Sequence, residues 1–129
     1  MIIEAFVICD AATDSMGKLN ILGSYDSILT NCVPAMVQNM VFALRMRFRQ
    51  DEQGAKDCEI VCMDYDGKTS LPPFKAKLDV RVPYDRDSIA LNFILNVNGV
   101  QFAKQGKYRI DMLMDGAVKA SLPLDVRIA

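Results

Sequence analysis

Apolar and polar residues alternate with a period of two along most of this 129-residue chain. Residues 74–82 show the pattern most clearly, because apolar side chains occupy every second position and Lys, Asp or Arg the positions between. Successive side chains of a strand point to opposite faces, so this alternation is typical of strands that bury one face. The pattern predicts about eight strands and no long helix.

Two segments depart from the alternation of a regular strand, and two Asn/Asp-Gly pairs signal turns. A strand predicted over about 18–30 contains Gly23, which predicts a bend that would let this strand serve both sheets of a sandwich. Residues 31–49 begin with helical spacing, so we predict a short helical turn or loop at 34–38 and then a strand to about Arg49. Asn98-Gly99 predicts a turn, and Asp115-Gly116 predicts a tight hairpin.

Eight short strands separated by turn signals predict an all-β fold, with residues 1–129 forming a single domain. We expect a two-sheet antiparallel β-sandwich with immunoglobulin-like Greek-key connections, and a jelly-roll or C2-like sandwich is the alternative. Pro123 predicts that the last strand is an edge strand or is bulged. The residues predicted to share the interior are Leu78, Val80, Leu91, Phe93, Leu95, Ile110, Leu124 and Val126.

Composition narrows the classes of partner. Apolar residues make up 51% of the chain and charged residues 24%, values that exclude a disordered protein. The net charge of −1 argues against nucleic acid as a partner, because phosphate binding needs a basic surplus. Glu4 interrupts the apolar N-terminal stretch, which predicts neither a signal peptide nor a membrane span. We expect a cytoplasmic protein that binds neither nucleic acid nor membrane.

The side chains available for chemistry are few. The chain has no histidine, which removes Ser-His and Cys-His catalysis and most zinc and iron sites. Its four cysteines form no C-x-x-C motif, and we expect them to be reduced and mostly buried. We find no nucleophile elbow and no glycine-rich phosphate loop. We therefore expect no catalytic residues, no metal site, no cofactor and no enzyme activity.

Carboxylates offer two weak calcium candidates. Residues 64–67 resemble the start of a calcium loop, but Lys75 stands where such a loop needs a bidentate glutamate, so a hairpin turn is the better interpretation. A loop site is the other candidate, if folding brings its members together: Asp10, Asp14, Asp85 and Asp87.

Two sets of basic residues alternate along predicted strands. Arg45, Arg47 and Arg49 project from one strand, and Lys75, Lys77 and Arg81 from another. The two sets would form one basic patch if these strands were neighbours. A solvated outer face is the alternative interpretation.

The first strand is apolar on both faces, although a sandwich has only one interior. We assign the side chains of one face of this strand to the surface of the sandwich and predict that a partner covers them. The alternative is that loops or residues 31–38 of the same chain cover these side chains. The candidate interaction surface comprises Ile2, Phe6, Ile8, Arg45, Arg47 and Arg49. We therefore expect a non-enzymatic protein-interaction or assembly module whose partner is another protein or a second copy. The alternative is a sandwich that binds a small ligand, calcium or a carbohydrate through its end loops.

Two segments resemble a known family. One is GKLNILGSYD at residues 17–26, and the other is GKYR at residues 106–109, followed by Asp115-Gly116 and by LPLDV at residues 122–126. Together with the short apolar first strand, they are similar to a family of small bacterial proteins of unknown function. The resemblance implies an immunoglobulin-like β-sandwich and a bacterial origin. It implies no activity and no assigned functional residues.

Overall fold

The structure, a computed structural model, describes residues 1–129 and contains nine strands and one turn of 3-10 helix. The helical turn is Gln50–Glu52. The strands are β1 (Ile2–Ser15), β2 (Lys18–Tyr25), β3 (Ser27–Thr30), β4 (Ala35–Arg49), β5 (Gly54–Met63), β6 (Phe74–Val80), β7 (Ser88–Phe102), β8 (Gly106–Met114) and β9 (Ala117–Ile128). No helix here has the length and hydropathy that a membrane crossing requires.

The strands form two sheets, with the orders β2-β1-β4-β7 and β3-β9-β8-β5-β6. All paired strands are antiparallel except β3 and β9, which are parallel. The chain crosses between the sheets after β2, β3, β4, β6 and β7, and such crossings are typical of the Greek-key connections of immunoglobulin-like sandwiches. The predicted all-β fold of two sheets with immunoglobulin-like connections is confirmed.

A tyrosine closes the corner before β8. The Tyr108 hydroxyl donates a hydrogen bond to the main-chain carbonyl of Lys104 at 2.5 Å. The ring of Phe102 packs edge-on against the Tyr108 ring, with 5.0 Å between the two ring centroids. A tyrosine at this corner, bonded to backbone a few residues upstream, is a hallmark of immunoglobulin-like domains. Two residues later, where antibody domains place a disulfide cysteine, the chain has Ile110.

The main core lies between the sheets and contains 22 buried residues. Its centre is the inner face of β4, where Met40, Phe42, Leu44, Met46 and Phe48 are each at most 1% exposed. All eight predicted interior residues belong to the core or pack against it: Val80, Ile110, Leu124 and Val126 are buried, whereas Leu78 near the end of β6 is only partly buried. Its members on β7 pack against the core but stay partly exposed, because β7 lies at the edge of its sheet.

The predicted second strand does serve both sheets, but the break lies at Asp26 and not at Gly23, and it divides that strand into β2 and β3, which raises the number of strands to nine. The chain passes from one sheet to the other at Asp26. Gly23 has a φ of +68°, and a Cβ there would lie 2.5 Å from the Oδ2 atom of Asp10. The left-handed conformation therefore favours glycine at this position, and any larger residue would also displace the Asp10 carboxylate.

Two local predictions are wrong for one shared reason. The helical turn predicted at 34–38 is strand, since β4 begins at Ala35, and the turn predicted at Asn98-Gly99 lies inside β7. These two segments pair with each other, with Val37 opposite Val100 and Asn39 opposite Asn98. Long-range pairing outweighs the local helical spacing and the local turn signal.

The hairpin predicted at Asp115-Gly116 is confirmed. Asp115 has a φ of 51° and Gly116 a φ of 83°, so both central residues are left-handed, as a type I′ turn requires.

Candidate interaction surface

Three apolar side chains were assigned to the predicted surface, and only one of them lies there. Ile2 is 61% exposed, whereas Phe6 is 8% and Ile8 is 1% exposed. Phe6 and Ile8 belong to the core between the sheets, so their assignment to the outer face is wrong.

A β-bulge explains this error. The pairing between β1 and β4 shifts register between Ile3 and Ala5, which leaves Glu4 as the extra residue. An extra residue reverses the alternation of inner and outer side chains in the remainder of the strand. Phe6 consequently lies opposite Leu44 and faces inward.

The hairpin of β1 and β2 covers the outer face of its own sheet. Cys9, Val41 and Ala43 lie on this outer face, yet each is 0% exposed, and Ala12 and Leu19 of the hairpin pack against them. This central part of the apolar outer face is therefore buried within the chain, with the hairpin as part of its cover.

The tip of the hairpin is held by polar contacts to the sheet beneath it. Arg45 donates from Nη1 to the Gly17 carbonyl at 3.0 Å and to Oδ1 of Asn92 at 3.0 Å. Asn92 in turn donates from Nδ2 to Oδ2 of Asp14 at 3.1 Å. We refer to Asp14, Gly17, Arg45 and Asn92 as the hairpin clamp.

Glu4 neutralises part of the predicted basic surface. Its carboxylate accepts hydrogen bonds from Nε of Arg47 at 2.7 Å and from Nε of Arg45 at 2.9 Å. The bond from Arg47 is the main cause that lowers the pKa of Glu4, and the same bond raises the pKa of Arg47. Arg47 also donates to the hydroxyl of Ser88 at 3.0 Å. Arg45 and Arg47 are therefore engaged within the chain.

Arg49 lies further along β4, with a side chain that is 67% exposed. Its Nε atom lies 3.1 Å from Oδ1 of Asp51, and this hydrogen bond is the main cause that raises the pKa of Arg49 and lowers that of Asp51. The second basic set, with Lys75 and Lys77 on β6, belongs to the other sheet. The continuous basic patch considered for these two sets is not formed.

The predicted carboxylate candidates do not converge. No three His, Cys, Asp or Glu side chains are grouped where they could hold a metal ion. Asp64 accepts the backbone N–H groups of Asp66 and Lys68, each at 3.0 Å, and so closes a turn. The bond from Lys68 is the main cause that lowers the pKa of Asp64.

All four cysteines are free thiols, as predicted, and only Cys32 is exposed. Burial raises the pKa of the Cys58 thiol to about 11. Asp111 is the one buried charged residue, at 3% exposure. It accepts a hydrogen bond from Ser121 at 2.6 Å and pairs with Nε of Arg109 at 3.1 Å, so its charge is balanced locally.

The free edge of β7 was not identified as a site from the sequence. β7 pairs with β4 along its length, and no strand lies on its other side. Its 15 residues include neither a charged residue nor a proline. No backbone hydrogen bond within the chain engages this free edge. The sequence signal was the use of Asn, instead of Lys or Glu, at outward positions of this strand.

The other long edges contain charged residues or prolines. β2 has Lys18 at its first position, and β6 carries Lys75 and Lys77. The part of β9 that β3 leaves unpaired contains Lys119 and Pro123. Such residues are common devices against unwanted strand pairing, and β7 has none of them.

Together these features define an immunoglobulin-like β-sandwich with one long, uncharged free strand edge. The chain belongs to a family of unknown function, DUF6941, whose sequence model matches residues 4–127. The predicted resemblance to an uncharacterised family is thereby confirmed.

The chain is also similar to an immunoglobulin-like protein from Pseudomonas aeruginosa, at 12% identity and a TM-score of 0.39, over 93% of this chain and 91% of that one. No curated protein matches the chain.

Proposed function

We propose that this protein is a non-enzymatic protein-interaction or assembly module that acts in the bacterial cytoplasm. The observation that carries the proposal is the free edge of β7, which is long, uncharged and unpaired within the chain. An unpaired strand edge presents a row of backbone donors and acceptors that can pair with a strand of another molecule.

The dimensions of the edge support this role. At about 3.3 Å per residue, the part of β7 that precedes the left-handed Gly99, residues 88–98, extends over about 36 Å. Every second residue of an edge strand directs both its N–H and its C=O outward, so about five residues of this part present both groups. A partner strand would gain main-chain hydrogen bonds along this edge and apolar contacts beside it.

Side chains next to the edge strengthen the argument. Leu91, Phe93 and Leu95 face the core but stay partly exposed, so a strand added beside them would complete their burial. Arg45 and Arg47 of the outer face, in contrast, are already bonded within the chain, both to Glu4 and Arg45 also in the hairpin clamp. The free thiols of the chain support the cytoplasmic setting.

Affinity capture with two matched variants tests the proposal. The edge variant, Asn96→Lys with Asn98→Lys, adds two charges at exposed positions of β7. The control variant, Asn20→Lys with Ser24→Lys, adds the same charges to exposed positions of β2, at the opposite edge of the same sheet. We expect the wild type and the control variant to retain the same binding protein and the edge variant to lose it.

Recovery of the same proteins by all three chains would contradict a role for β7. The alternative function has its own test in a thermal scan. A melting temperature that rises with calcium and falls with EDTA would favour a calcium-binding sandwich over the proposed function.

A further inference from the structure

We propose that the β7 edge pairs with the β7 edge of a second copy of this chain, in an antiparallel arrangement that joins the two sandwiches edge to edge. This inference rests on the proposed function, because it names the partner of the same edge. The paired copies would share one continuous eight-stranded sheet, four strands from each copy. Pairing of identical edges about a twofold axis closes the assembly at a dimer.

The sequence of β7 is compatible with its own reversed copy. A continuous sheet requires inward side chains to lie opposite inward side chains, so one residue of β7 must lie opposite its own copy, with the twofold axis between the two. If that residue is Ile94, Phe93 lies opposite Leu95 on the inner face and Asn92 lies opposite Asn96 on the outer face. At these central pairs, apolar residues meet apolar residues and amides meet amides.

The absence of charge on β7 meets a requirement for pairing with a second copy. Self-pairing brings each residue close to a residue of the identical strand, so any charge on an edge tends to meet its like. β6 would bring Lys75 and Lys77 near their copies, whereas β7 contains no charged residue. An uncharged β7 can therefore lie beside its own copy without bringing like charges together. The net charge of −1 per chain adds little long-range repulsion between the two copies.

Burial points to the same occupant. Leu91, Phe93 and Leu95 lie on the inner face of an edge strand and stay partly exposed there. In the paired arrangement, the copies of these residues would lie beside them and continue the apolar inner face across the junction. Each copy would thus bury the partly exposed apolar side chains of the other with the same surface, as a twofold interface requires.

Light scattering behind size-exclusion chromatography tests the pairing, with the wild type, the edge variant and the control variant at tens of micromolar. We expect the wild type and the control variant to show twice the chain mass of 14.4 kDa. We expect the edge variant to show the monomer mass, with a dimer dissociation constant raised at least about tenfold, because charged lysines on an edge strand oppose the addition of another strand. Equal thermal melts of the two variants at low concentration would show that both are folded.

Two results would overturn the inference. A monomeric wild type would exclude self-pairing, while capture of a protein that depends on β7 would leave the proposed function standing. A dimeric edge variant would place the dimer contact elsewhere on the molecule. Self-pairing through β7 with no captured protein would instead identify the second copy as the partner.

Discussion

The guanidinium of Arg45 donates a hydrogen bond to the main-chain carbonyl of Gly17, 28 residues earlier in the chain, at 3.0 Å. Gly17 lies in the turn between β1 and β2, so this contact holds the tip of that hairpin over the outer face of the sheet. Cys9 and Val41 lie on that face and are fully buried. The contact therefore helps to close a second, smaller core that a sandwich with a bare outer face would lack.

Replacement of Arg45 by alanine should loosen the hairpin and expose Cys9. The variant loses hydrogen bonds from a charged donor to Gly17, Asn92 and Glu4, so the hairpin should open more often. We expect thiol labelling of Cys9 to become about tenfold faster, measured by mass spectrometry of the labelled peptide at neutral pH.

Arg49→Ala is the matched control, because Arg49 lies on the same strand but pairs with Asp51 and not with the hairpin. Its Cys9 should label at the wild-type rate, and the exposed Cys32 should label rapidly in every chain. Equal Cys9 rates in Arg45→Ala and the wild type would show that the apolar contacts alone hold the hairpin.

The fold could be predicted from the sequence wherever alternation and turn chemistry agreed. β6 and the hairpin at Asp115-Gly116 satisfy both conditions, and both were predicted correctly. The start of β4 and the end of β7, from Asn98 onward, were predicted wrongly, because each takes its conformation from pairing with the other across about 60 residues of sequence. A local pattern contains no information on such a partner.

The interaction surface was harder to predict, for two physical reasons. A single extra residue at Glu4 exchanged the faces of β1, and a bulge leaves no mark in the alternation of a strand that is apolar on both sides. The β7 edge depends on strand order, which local sequence does not encode. Only the absence of charged residues in β7 indicated that this edge was unusual.

Phe42 should be the more costly of two phenylalanines to remove from the core. Phe42 is 1% exposed and its ring lies 6.3 Å from that of Phe74, whereas Phe93 on β7 is only partly buried. We expect Phe42→Ala to lower the free energy of unfolding by about 3–5 kcal/mol and Phe93→Ala by less, because a partly exposed site loses less burial. Urea melts at low protein concentration measure both values, and an equal or larger effect at Phe93 would contradict the edge position of β7.

Valine at position 116 should strain the hairpin between β8 and β9. Gly116 has a φ of +83°, and the space that a Cβ would occupy is open, so the cost arises from the backbone alone. We expect Gly116→Val to lower the free energy of unfolding by roughly 1–2 kcal/mol. Gly116→Asn should cost less, since asparagine tolerates the left-handed conformation better than a β-branched residue. Equal stability of the valine variant and the wild type in urea would argue against a left-handed residue at this turn.

The buried thiol of Cys58 should make the protein less stable in alkali. Burial raises the pKa of this thiol from its ordinary value of 9.0 to about 11. Between these two values the unfolded chain has lost the proton and the folded chain still holds it, so the unfolded state binds fewer protons. The free energy of unfolding should therefore be highest below pH 9, with respect to this group, and should fall between pH 9 and pH 11.

Cys58→Ala isolates this effect from the other groups that titrate in alkali. One thiol can contribute a slope of at most about 1.36 kcal/mol per pH unit, so the decline in the variant should be shallower by up to that amount. Cys32→Ala, which removes an exposed thiol, should decline in parallel with the wild type. Urea melts of all three chains at about pH 8, 9, 10 and 11 give the free energy of unfolding at each pH and hence its slope. A decline in Cys58→Ala as steep as that of the wild type would show that this thiol ionises equally in the folded and unfolded states.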